Sequence, residues 1–198
     1  TATPEESQRP LAIASAVLLG GPLVALLLLL SVPPLDSLAM AMTFHFWIVS
    51  ATTIAAAVAF AVVMMLTRSL SETRLVFLGM AFLSIAGIFS VHGLTTPGHI
   101  HAEAFTELRI SGWLSVTAGS FFVAFSVATL SPAAEQLLRR WGPVLVGGLT
   151  VGLGVYIGLA IATPDWLAFV PYDNRSVQLA VSAVNMVLLA FSAWRYFQ

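Results

Sequence analysis

Apolar residues in this chain form long unbroken runs, separated by short polar or proline-containing stretches. About twenty apolar residues cross the hydrocarbon core of a bilayer. A segment that crosses must be helical or part of a closed barrel, because lipid offers its backbone no hydrogen-bond partners. The runs do not alternate at period two, which decides for helices. The pattern predicts a single all-α membrane domain over 1–198, a polytopic bundle of six helices at 11–30, 44–66, 75–94, 111–130, 143–162 and 176–197. Pro33-Pro34, Pro97-Gly98, Pro132, Gly142-Pro143 and the stretch from Pro164 to Pro171 fall between the runs, where breakers belong. The first run is longer than a typical signal-peptide core and lacks a small-residue cleavage pattern after it, so it reads as a retained helix.

Composition sharpens this picture. Residues are 59% hydrophobic and 9% charged, far from the roughly 25% charged of soluble domains. The lipid bilayer is therefore the first expected partner. A net charge of -1 with scattered basic residues gives no electrostatic footing for nucleic acid. Without cysteine, disulfides, thiolate catalysis and iron–sulfur clusters are excluded. Every basic residue is arginine, and without lysine a retinal Schiff base is excluded too. Arg9, Arg68, Arg74, Arg139, Arg140 and Arg195 fall on one side of a six-helix arrangement, with Arg109 and Arg175 on the other. The excess predicts that the first side is cytoplasmic, with both termini there. The chain starts Thr1-Ala2-Thr3 and ends at Gln198 as a run finishes, so it is expected to be a piece of something longer.

Within helices the polar and small residues have ordinary explanations. Gly148-x-x-x-Gly152 and Gly154-x-x-x-Gly158 are spacings for close helix approach, expected within the bundle ahead of a dimer seam. Gln178 and Asn185, seven residues apart, are expected to face the bundle and bond another helix. Ser50, Thr53, Ser84 and Ser120 are expected to bond back to their own helices. Trp47, Trp113, Trp141, Trp166 and Trp194 lie near predicted helix ends, as an aromatic belt would place them.

Chemistry concentrates in the histidines. His45 opens the second run and His92 closes the third, so an antiparallel pair of helices brings them to one membrane face at similar depth. His99 and His101 follow in the next loop, with Glu103 and Glu107 close behind. Imidazoles with a carboxylate suit copper, zinc or non-haem iron, so these six residues are the candidate metal ligands. Each has a plainer reading. His45 and His92 can be interfacial hydrogen-bonding residues, and His99 and His101 solvated loop residues. Glu103 and Glu107 would share a solvated face if 102–109 is a short interfacial helix. No HExxH and no CxxC pair is present.

The stretches Phe44-His45-Phe46-Trp47-Ile48-Val49-Ser50, Phe82-Leu83-Ser84-Ile85-Ala86-Gly87-Ile88-Phe89 and His92-Gly93-Leu94-Thr95-Thr96-Pro97-Gly98 carry a resemblance. They resemble the N-terminal multi-helix membrane region found ahead of adenylate/guanylate cyclase, diguanylate cyclase or histidine kinase modules in bacteria. The likeness is good over the second and third helices and elsewhere follows helix pattern alone. It implies a sensor or membrane anchor in a bacterial inner membrane, a homodimer, and a C-terminal cytoplasmic cyclase or kinase module. His45 and His92 fall within it; His99 and His101 lie beyond. Two alternatives use the same histidines: a membrane metalloenzyme with a zinc-activated water, and a redox subunit with haem or chlorophyll on His45 and His92. A transporter ranks last, since no acid or base marks a path at the membrane centre.

Overall fold

The computed structural model describes residues 42–70, 72–98, 106–163 and 165–198. The expected helix 11–30 and the candidate ligands His99, His101 and Glu103 lie outside the described residues. Those described form five helices and no strand: α1 (Met42–Leu70), α2 (Arg74–Leu94), α3 (Thr106–Ser126), α4 (Pro132–Ala162) and α5 (Arg175–Tyr196). All five are long and apolar enough to cross a membrane.

Helix α2 is the centre, packed against α1, α3 and α4, while α5 packs on α3. Its buried residues leave no single polar stripe: Val76, Met80, Ser84, Ile88 and Val91 line one side, and Gly79, Ala86 and Gly93 fill other directions. Helix α1 answers with a narrow seam, Val49, Ala56 and Val63, repeating every seven residues. Close approach depends on absent side chains. A Cβ on Gly93 would stand 3.1 Å from Val49, and one on Gly119 of α3 would stand 2.9 Å from Ile85. On α4 and α5 most large apolar side chains face outward, including Val144, Val151, Leu179 and Val187, as lipid-facing surfaces require.

Several helix bounds depart from the hydropathy reading. Helix α4 starts at Pro132, eleven residues before the expected start, and carries Pro143 inside it. The Ser131 hydroxyl accepts the Ala134 N–H, and Pro132 occupies the first turn, where it gives up no bonded N–H. This strong start extends the helix through the charged stretch Glu135 to Arg140, which hydropathy alone counts as loop. Helix α3 likewise begins at Thr106, so Glu107 lies in the first turn of a long apolar helix.

Polar groups inside the bundle divide as well. Asn185 donates to Thr117 Oγ1 at 3.1 Å and accepts from Ser120 Oγ at 3.0 Å, joining α5 to α3. Gln178 is exposed and donates to the Tyr172 carbonyl before its own helix, and it bonds no neighbouring helix among the described residues. Thr53 Oγ1 and Ser84 Oγ are buried without a partner among the described residues, contrary to the expected back-bonding. The glycines expected to pack inside the bundle, Gly148, Gly152, Gly154 and Gly158, meet nothing within 4 Å among the described residues.

Candidate functional site

The antiparallel pair α1 and α2 sets the first turn of one helix beside the last turn of the other. His45 and His92, 47 residues apart in sequence, stand there with their Nε2 atoms 3.2 Å apart. Their rings meet edge to face, with centroids 5.2 Å apart. Both side chains are half-buried.

His92 is held on three sides. Its ring stacks on Phe89 one turn earlier in α2, at 5.1 Å and 5° between planes. It lies over Gly112 of α3, where an added Cβ would touch the ring at 3.6 Å. Its Nδ1 bonds the Leu108 carbonyl, one turn before that glycine. A carbonyl only accepts, so Nδ1 carries the hydrogen. In the neutral ring Nε2 is then a bare lone pair, aimed at His45. Without another ligand, His45 Nε2–H donates into it. Thr95 and Thr96, both buried, finish α2 by donating their hydroxyls to the Val91 and His92 carbonyls. This fixes the helix end that carries the ring.

Glu107 does not join the pair. It is fully buried, and its carboxylate accepts N–H groups of the loop between α4 and α5, from Asp165 at 3.1 Å and Leu167 at 3.3 Å. Among the described residues no three His, Cys, Asp or Glu side chains form a metal-holding group. The physical reason is local: the start of α3 turns Glu107 toward that loop, where two backbone donors need an acceptor. The loop returns the contact, since Asp165 Oδ1 accepts the Thr106 N–H at the first turn of α3. Asp165 sits at φ 62°, a left-handed conformation that Asp tolerates. The backbone hydrogen bond from Thr106, helped by a side-chain bond from the same residue, holds the Asp165 carboxyl below its ordinary range. Arg109 and Asp173 add an exposed ion pair at 3.3 Å, a weak contribution at such a surface.

Sequence reasoning missed Phe89, Gly112 and Leu108 as parts of the setting. Gly112 offered a signal, a glycine inside an otherwise good helix. The carbonyl offered none. No protein-family model matches the chain, and no curated protein or solved structure matches it either.

Proposed function

We propose that this chain is a membrane sensor or anchor domain of a bacterial inner-membrane protein whose outer face binds a transition metal, zinc or copper, through His45 and His92. The observation that carries this reading is the convergence of two Nε2 atoms at 3.2 Å. Two imidazoles on one tetrahedral ion, with bonds of about 2.0–2.1 Å, stand about 3.3 Å apart. That spacing supports the reading of a shared tetrahedral metal. The bond from His92 Nδ1 to the Leu108 carbonyl supports it, because metal-bound histidines commonly donate the second ring N–H to a carbonyl that fixes orientation. Trans axial ligation of a haem would need about 4 Å between the nitrogens, twice a bond of about 2 Å, so the spacing favours the tetrahedral centre over the pigment reading.

Two protein ligands leave two positions open on a tetrahedral ion, for which His99 and His101, in the segment that follows α2, are the candidate ligands. Metal held between α1 and α2 would favour one packing of those helices, by no more than its differential affinity for two packings. On this reading the change passes along α2 to the cytoplasmic end and to a cyclase or kinase module beyond the helices, working as a homodimer.

Equilibrium dialysis of the detergent-purified chain against zinc and against copper(I) tests the binding step. About one metal per chain is expected, lost in His45→Ala and in His92→Ala, while His99→Ala and His101→Ala report the remaining ligands. A chain that binds neither metal, or binds equally after both histidines of the pair are removed, would leave His45 and His92 as an interhelical hydrogen bond.

A further inference from the structure

The opposite end of the bundle carries an amphipathic cavity. It occupies about 570 Å³ between the end of α1, the start of α2 and α4, within the range of small-molecule sites. Its walls are apolar: Met64, Val76, Leu138, Pro143 and Val146. One end is polar, with Arg68, Arg139 and Glu72. Two arginines and one glutamate thus line the cavity, and none of the three forms an ion pair among the described residues. From Arg139 the α4 wall runs eight residues to Gly147, about 12 Å along the axis, away from the charged end and into the apolar zone.

We propose that this cavity binds an anionic glycerophospholipid, its phosphate on Arg68 and Arg139 and an acyl chain along the α4 wall. Each part of the ligand follows from a part of the cavity. The unbalanced positive charge calls for an anion, and a planar guanidinium suits phosphate oxygens. The apolar walls exclude a small inorganic anion as the whole occupant, since it would leave them uncovered. Basic pockets between membrane helices are placed for such headgroups. Gly147 lies on the path of the acyl chain, with nothing among the described residues within 4 Å of an added Cβ, so its bare backbone leaves the groove open there.

Native mass spectrometry of the full chain, released from nanodiscs of equal phosphatidylglycerol and phosphatidylcholine, tests the assignment. Phosphatidylglycerol adducts should dominate. Arg68→Gln with Arg139→Gln should weaken retention roughly 30-fold, at about fivefold per arginine. Gly147→Leu should abolish retention by filling the groove, while helical circular dichroism and Tm stay near those of the parent chain, because the position is open. Equal retention of the two lipids would overturn the proposal, as would phosphatidylglycerol retention unchanged by both variants. That last result would give the cavity to another segment of the chain or a second copy.

Discussion

Asp165 makes the histidine end sensitive to acid. Its carboxyl is held below the ordinary value of 3.8 by the Thr106 N–H, so the link contributes fully above that value. It is lost as pH falls through the lower folded-state value. Hydrogen exchange at the Thr106 amide should accordingly rise at the acid end, over and above its intrinsic pH dependence. Asp165→Asn keeps an acceptor and tolerates the left-handed backbone, so it should remove that acid step without loosening α3 at neutral pH. The same acid step in the variant would refute the link. At this scale the sequence was partly readable. His45 and His92 could be paired from topology alone, because two consecutive spans of similar length return the chain to the face it left. The role of Glu107 could not, since its partners are backbone N–H groups 58 and 60 residues away that carry no side-chain signature.

Among the helices, hydropathy locates what lipid surrounds, while caps and turn residues locate where a helix begins. The two agree for α2, expected at 75–94 and found at Arg74–Leu94. They part at α4, where Ser131 and Pro132 start a helix in a polar stretch. Glycine spacing was the weaker signal. The paired motifs of α4 face no described neighbour, whereas the isolated glycines Gly87, Gly93 and Gly119 sit at close contacts. A testable contrast follows. Gly87→Ala would drive a Cβ to 2.8–3.1 Å from three atoms of Leu153 and should cost about 1–3 kcal/mol as overpacking. Gly154→Ala meets open space and should be neutral or stabilising by up to about 1 kcal/mol through helix propensity. Unfolding of both variants in mixed micelles checks this, and equal losses would contradict the packing described for α2 against α4.

Across the whole molecule the two ends differ in chemistry and share one helix. Helix α2 carries His92 in its last turn, among the contacts with α1 and α3, and Val76 near its start, in the wall of the arginine-lined cavity. A metal at one end and a phospholipid at the other would therefore act on the same central element. Metal ligation by the histidine pair is the step on which the rest depends. The X-ray absorption spectrum of the zinc-loaded full chain measures it most directly. At least two imidazole nitrogens at about 2.0 Å are expected, a shell that His45→Ala does not retain. A first shell of oxygens alone, or a spectrum unchanged by that substitution, would contradict the account.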